Sequence, residues 1–121
     1  MGLEILIVED EVIISAMMKM ELEIAGYLVC GCVTTGEKAL KFVQDIKPDV
    51  ILMDINLAGN IDGIEAAEQI REFLNIPIIF MTGYNESGII DRINKLSDPV
   101  TILATPVKMW DLKPVLESIS G

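Results

Sequence analysis

Short apolar runs alternate with longer amphipathic segments five times along this sequence. The apolar runs are rich in Ile, Val and Leu, which is typical of strands buried on both faces of a sheet. Strict alternation of strand and helix predicts a parallel sheet covered by helices on both sides, in a doubly wound, three-layer α/β fold. The predicted strands cover residues 3–8, 27–33, 50–54, 78–81 and 100–103, and the predicted helices cover residues 12–25, 35–46, 64–73, 86–96 and 109–119.

Length and charge narrow the classes of function. A chain of 121 residues without a linker or low-complexity segment is expected to form one domain, residues 1–121. The net charge of −10 argues against a nucleic-acid surface, whose phosphate contacts need Lys and Arg, and suits the binding of cations or basic partners. No apolar run approaches about 20 residues and no signal-peptide pattern opens the chain, so we expect a cytoplasmic protein without a membrane contact.

The cysteine and histidine content excludes further chemistry. Cys30 and Cys32 lie on one predicted strand, and the chain has no His to complete a zinc site around them. We interpret both as reduced strand residues. The absence of His also excludes any mechanism in which this chain supplies an imidazole base, including a Ser-His-Asp triad.

Helix 1 carries two apolar stripes at helical spacing, roughly 150° apart around its axis. We expect the first stripe to face the sheet. It consists of Ile13, Ala16, Met17, Met20 and Ile24. The second stripe either packs on a neighbouring helix or forms an exposed surface for partner docking. It consists of Ile14, Met18 and Leu22.

Polar side chains stand where four of the predicted strands end. Glu9 and Asp10 follow strand 1, Asp54 closes strand 3, Thr82 follows strand 4 and Thr105 follows strand 5. In open α/β sheets, functional groups gather at the carboxyl ends of the strands. An Asp at a strand end is often only a turn former, but that role does not account for acids at the ends of two strands together with a hydroxyl at a third. We therefore expect one site at this edge.

Converging carboxylates predict a metal ion and a phosphoryl group. Three carboxylates repel one another unless a cation lies between them. Oxygen ligands without His or Cys favour a hard ion, so the expected metal is Mg²⁺ or Mn²⁺. A carboxylate can attack phosphorus as a nucleophile while a metal neutralises charge on the phosphoryl oxygens. Asp54 is the candidate nucleophile, and the hydroxyl of Thr82 can donate to a phosphoryl oxygen.

Almost the whole chain resembles the receiver domain of two-component response regulators. The segments that carry the resemblance are 5–11, 49–54, 62–63, 76–82 and 105–106. The resemblance implies a flavodoxin-like (βα)5 fold with strand order 2-1-3-4-5. It implies that Asp54 accepts a phosphoryl group from a histidine kinase or phosphotransfer domain. It also implies that Glu9 and Asp10 bind Mg²⁺ with Asp54 and the backbone carbonyl of Asn56, and that Thr82 moves to the phosphate.

Three features depart from the receiver pattern. Thr105 stands in place of a Lys that contacts the phosphoryl group, so one charge-assisted contact worth roughly 1.5–3 kcal/mol is missing. Lys108 would have to reach back from the start of helix 5 to replace it. Ile102 stands where receivers carry a switch aromatic, so the usual coupled movement of Thr82 and a ring cannot run in its usual form. The loop after strand 3 is longer than usual and lacks the usual Pro. A cis peptide bond is expected before Pro106.

Several functions remain as hypotheses. The leading one is a phospho-accepting module whose surface of helix 4, strand 5 and helix 5 changes and signals to an unknown output partner or domain. The alternative is a pseudo-receiver, an interaction module with impaired phosphorylation, which Thr105 and Ile102 favour. A dehalogenase-type phosphatase is disfavoured because Asn56 stands where such an enzyme has a second Asp, and flavin binding is disfavoured by the acidic loop after strand 1. Tyr84 is expected to shield the acceptor from water.

Overall fold

The computed structural model describes residues 2–83, 87–96 and 100–120. Strands and helices alternate along these residues as the sequence predicts, with boundaries within a few residues of the expected ones. The elements in chain order are β1 (Glu4–Val8), α1 (Val12–Ile24), β2 (Leu28–Val33), α2 (Gly36–Asp45), β3 (Val50–Asp54), α3 (Gly63–Arg71), β4 (Ile78–Thr82), α4 (Ser87–Asn94), β5 (Val100–Ala104) and α5 (Met109–Ser120).

The strands form one parallel sheet in the order β2-β1-β3-β4-β5, which confirms the predicted flavodoxin-like topology. Strand β2 lies on one side of β1, whereas β3, β4 and β5 follow on the other side. The strand order therefore reverses between β1 and β3. At this point Val8 pairs with Met53. The carboxyl ends of the two strands therefore lie side by side, which is where open α/β sheets place their sites.

Both faces of the sheet are buried, as the apolar runs predict. Along β1, Leu6 and Val8 pack with side chains from α2, α3 and α4, whereas Ile5 and Ile7 pack with side chains from α1 and α5. This alternation follows from the two-residue period of a strand. The helices therefore form two layers, α2, α3 and α4 on one side of the sheet and α1 and α5 on the other.

Local sequence signals set several helix ends. Gly26 has a φ of 97°, a conformation that favours glycine, and it ends α1 as predicted. Thr35 caps α2, since its hydroxyl accepts a hydrogen bond from the backbone N–H of Lys38 at 3.1 Å. Asp62 and Glu65 form a capping box at the start of α3.

The predicted orientation of α1 is wrong. The stripe that we expected to face the sheet is exposed, with Ile24 80% exposed, whereas Leu22 of the second stripe is fully buried. Both faces of α1 are apolar, so periodicity alone does not select one. The connections at the two ends of the helix are hydrogen-bonded: the carboxylate of Glu9 accepts from the N–H of Glu11 before it, and the N–H of Tyr27 donates to the carbonyl of Leu22 after it.

Candidate functional site

Three carboxylates meet at the point where the strand order reverses. Glu9 and Asp10 follow β1, Asp54 ends β3, and one carboxylate oxygen of each lies within 4.8 Å of the others. The pairing of Val8 with Met53 produces this geometry, because it places the next residues, Glu9 and Asp54, side by side. The predicted convergence of these acids is confirmed.

Backbone amides hold two of the acids in place. The N–H of Asn56 donates to Oδ1 of Asp54 at 3.1 Å, and the N–H of Glu11 donates to Oε2 of Glu9 at 3.0 Å. Each hydrogen bond engages one oxygen of the carboxylate and thereby orients the second oxygen of the same group. The loop that follows each strand therefore positions the acid that precedes it.

Burial opposes ionisation of this cluster. Glu9 is almost fully buried, and this burial raises its pKa from 4.5 to about 8, with a further increase from the charge of Asp54. Burial is also the main cause that raises the pKa of Asp54, against the amide of Asn56, which lowers it. Desolvated carboxylates retain protons unless a cation stabilises their charge.

An open cavity of about 660 Å³ leads to the acids. Its described lining contains five acids and no Lys or Arg. The lining residues are Glu9, Asp10, Glu11, Ile14, Met17, Met18, Glu21, Asp54, Asn56, Met81, Gly83, Thr105, Pro106 and Val107. The donor set is oxygen only, which fits a hard divalent cation such as Mg²⁺, and the absence of a cationic side chain leaves the negative charge uncompensated by these residues.

Residues next to the carboxyl ends of β4 and β5 form another wall of the cavity, but Thr82 itself is not among the lining residues. Thr82 is almost fully buried at the end of β4, and its carbonyl accepts a hydrogen bond of 3.0 Å from the N–H of Thr105. Thr105 lines the cavity, and its hydroxyl oxygen lies 3.0 Å from the place that a Cβ of Gly83 would occupy. The Thr105–Pro106 peptide bond is cis, as predicted.

Neither Lys108 nor Ile102 lines the cavity. The ammonium of Lys108 lies 5.9 Å from the centroid of the Trp110 ring. Ile102, in the predicted switch position, is 39% exposed on β5, where it pairs with Phe80. Tyr84, which we expect to shield the acceptor, lies outside the described residues.

The predicted docking stripe needs a correction. Leu22 is fully buried in the core between the sheet, α1 and α5, so it is not available to a partner. Met18 is half-buried against the same core, and Ile14 is 41% exposed. Met17, which we assigned to the inner stripe, is 54% exposed and lines the cavity beside Ile14. The spacing of three residues between Ile14 and Met17 was the signal that could have identified this pair.

Fold and site together define a class: a flavodoxin-like domain with an acidic site at the switch point of its sheet. The chain matches the response regulator receiver domain over residues 5–108 and belongs to that family. Such receivers are modules of two-component signal transduction and not classical enzymes, and the cluster of Glu9, Asp10 and Asp54 is consistent with a phosphorylation site.

Curated relatives are larger proteins. The transcriptional regulatory protein PdtaR of Mycobacterium tuberculosis is 29% identical over 113 residues, which cover 93% of this chain and 54% of that protein. The phyllosphere-induced regulator PhyR of Methylorubrum extorquens is 31% identical over 117 residues, which cover 96% of this chain and 43% of that protein. The chain therefore spans about half the length of the curated relatives that it matches.

Solved structures show the same fold. The receiver domain of a modulated diguanylate cyclase from Desulfovibrio desulfuricans is 34% identical with a TM-score of 0.89, and the match covers 98% of this chain and 94% of that one. The receiver domain of PhyR from Erythrobacter litoralis is 27% identical with a TM-score of 0.82, covering 98% and 90%. Among the described residues of this chain, no helix has the length and apolar character needed to cross a membrane.

Proposed function

We propose that residues 1–121 form one receiver unit in the cytoplasm, in which Asp54 accepts a phosphoryl group from the phosphohistidine of a histidine kinase or phosphotransfer domain. In the transfer, an Asp54 carboxylate oxygen forms a bond to phosphorus while the P–N bond of the donor breaks, and the released imidazole takes up a proton. The observation that carries this proposal is the approach of three carboxylates to within 4.8 Å at the switch point. An incoming phosphoryl group needs such a cluster to hold a cation.

Each site residue has a role in this proposal. Glu9 and Asp10 hold Mg²⁺ or Mn²⁺ together with Asp54 and the backbone carbonyl of Asn56. The bound cation neutralises charge on the phosphoryl oxygens. Thr82 donates its hydroxyl to one of those oxygens. The hydrogen bond from the N–H of Asn56 to Asp54 supports the assignment, because it orients the acceptor carboxylate.

Thr105 supports a second candidate, a pseudo-receiver that binds partners with impaired phosphorylation. No Lys or Arg stands among the described residues that line the cavity, so no side chain there replaces the missing ammonium. The intact acid cluster favours the first candidate, because a pure interaction module has no need to bury mutually repelling carboxylates. The two candidates differ in whether Asp54 is modified at all.

The docking surface is proposed to lie beside the cavity on α1. Ile14 and Met17 are exposed and border the same cavity as Asp54, and Met18 lies half-buried next to them. Exposed apolar side chains on a helix next to the acceptor suit an amphipathic helix of a kinase. The acidic charge of the chain favours a basic surface around that helix.

Phosphorylation of Asp54 can be tested directly by intact-protein mass spectrometry. The protein is incubated with Mg²⁺ and a small phosphoryl donor such as acetyl phosphate, beside an Asp54→Asn control and a sample in chelator. We expect one added phosphoryl group in the wild type with Mg²⁺ only. An unmodified wild type under conditions in which a kinase partner still binds would favour the pseudo-receiver.

A further inference from the structure

An ion pair joins α4 to the loop that follows the proposed phosphoacceptor. Nη1 of Arg92 lies 2.9 Å from Oδ2 of Asp62, and Nη2 lies 3.1 Å from Oδ1. A guanidinium that donates to both oxygens of one carboxylate fixes the relative orientation of the two groups.

Asp62 also starts α3. Its Oδ1 accepts a hydrogen bond from the N–H of Glu65 at 2.8 Å, and Oε1 of Glu65 accepts one from the N–H of Asp62 at 3.1 Å. Asp62 is therefore bound to its own helix and to α4 at once. A displacement of Asp62 has to move the first turn of α3, the guanidinium of Arg92, or both.

The start of α3 presses against the backbone of Asp54. A side chain at Gly63 would collide with the carbonyl oxygen of Asp54, and the N–H of Gly63 donates to the carbonyl of Ile55 at 2.9 Å. The contact leaves no free space between the backbone that carries the acceptor and the residue next to Asp62. A shift of the Asp54 backbone therefore reaches Asp62 and, through it, Arg92.

Apolar contacts hold α4 against the core on one face. Ile93 is buried and Ile89 is partly buried against the core, whereas Asp91 and Asn94 are exposed. Ile102 stands on β5 in place of the aromatic ring that couples receivers to their output surface. The bond between Arg92 and Asp62 is thus a specific polar link from α4 to the acceptor loop.

We propose that Arg92 is a positioning residue, which holds the backbone of Asp54 through Asp62 and Gly63 and passes a change at Asp54 to α4. The proposal rests on the proposed function. The ion pair stabilises the arrangement of the unmodified domain, and a phosphoryl group at Asp54 weakens the pair because the tight contact at Gly63 transmits the shift. By linkage, loss of the pair must favour the modified arrangement by the same factor.

The test compares variants that remove the pair with a matched control. Arg92→Gln removes the guanidinium, whereas Asp62→Asn weakens the pair but keeps an oxygen that can cap α3. Lys95→Gln removes an exposed cation directly after α4 and serves as the control. The measured quantities are the beryllofluoride concentration that half-saturates Asp54 in Mg²⁺ and the amide exchange of residues 87–96.

We expect both pair variants to need a two- to fivefold lower beryllofluoride concentration, and the Lys95→Gln control to match the wild type. In the wild type, amide exchange in α4 rises when beryllofluoride binds. In the Arg92→Gln variant, amide exchange in α4 is already high without beryllofluoride and does not rise further when beryllofluoride binds. The double variant should behave like Arg92→Gln alone, because Asp62→Asn acts on the same interaction.

Two outcomes overturn the proposal in distinguishable ways. If the variants raise exchange in α4 but leave the half-saturating concentration unchanged, the ion pair is merely structural and the inference is wrong. If beryllofluoride with Mg²⁺ fails to bind the wild type, the proposed function is wrong and this inference falls with it.

Discussion

Glu9 shows how a single buried acid ties the proposed site to the stability of the domain. Its pKa in the fold is about 8 because burial disfavours its charge, whereas in the unfolded chain it titrates near 4.5. Between these values the folded state binds more protons than the unfolded state. The free energy of unfolding must therefore fall as pH rises through this window.

We expect the domain in chelator to lose on the order of 2 kcal/mol of stability between pH 5 and pH 8. Urea unfolding at the two pH values measures the loss. The Glu9→Gln variant, which has no charge to bury, should show a smaller loss. Stability that stays constant or rises over this range in chelator would contradict the assigned pKa of Glu9.

Thr105 gives a second prediction for a single residue. It lines the cavity where no described side chain is cationic. A Thr105→Lys variant places an ammonium there, and a charge-assisted hydrogen bond to a phosphoryl oxygen is worth about 1.5–3 kcal/mol.

We expect Thr105→Lys to increase the phosphorylated fraction at a limiting concentration of small donor by about tenfold or more. Mass spectrometry after a fixed incubation measures this fraction, with Thr105→Met as a control of similar length without charge. An equal increase in the Met variant would assign the effect to shape and not to charge.

At the level of elements, α1 is unusual because its solvent face is as apolar as its core face. Ile13, Met17, Met20 and Ile24 follow one another at spacings of four, three and four residues, and all are exposed. This spacing is that of a coiled-coil seam, which packs against another helix. Met17 lines the cavity, whereas Met20 does not.

The different positions of Met17 and Met20 allow an effect on kinase docking to be distinguished from an effect on phosphoryl transfer at Asp54. We expect Met17→Glu to slow phosphotransfer from a kinase by about tenfold, since a charge replaces an apolar contact. Phosphorylation by acetyl phosphate should change less than twofold, and Met20→Glu should have a weaker effect on both reactions. Equal slowing with both donors would show that Met17 acts on the acceptor site and not on docking.

At the level of the whole molecule, the features that the sequence predicted correctly are those that depend on where the strands end. The apolar runs that end next to Glu9 and Asp54 predicted the meeting of the acids, whereas the sheet order was predicted from the resemblance to receiver domains. The rotation of α1 was missed because both of its faces are apolar, so periodicity alone did not select Leu22 over Ile24 as the core residue. The bond between Arg92 and Asp62 joins residues 30 apart in sequence, and no local pattern indicates it.

The whole-molecule charge gives the last prediction. A chain with a net charge of −10 gains some stability from any salt, since ions screen its repulsion. A site at Glu9, Asp10 and Asp54 adds a specific gain, which is about 2.7 kcal/mol at a free Mg²⁺ concentration 100 times the dissociation constant.

We expect Mg²⁺ to raise the free energy of unfolding at pH 7, measured with urea, by this amount more than NaCl of equal ionic strength does. Asp10→Asn should remove most of the difference, because it takes away a ligand while the remaining surface charge is almost unchanged. If Mg²⁺ and NaCl stabilise the wild type equally, screening alone accounts for the gain and the three acids do not bind the ion.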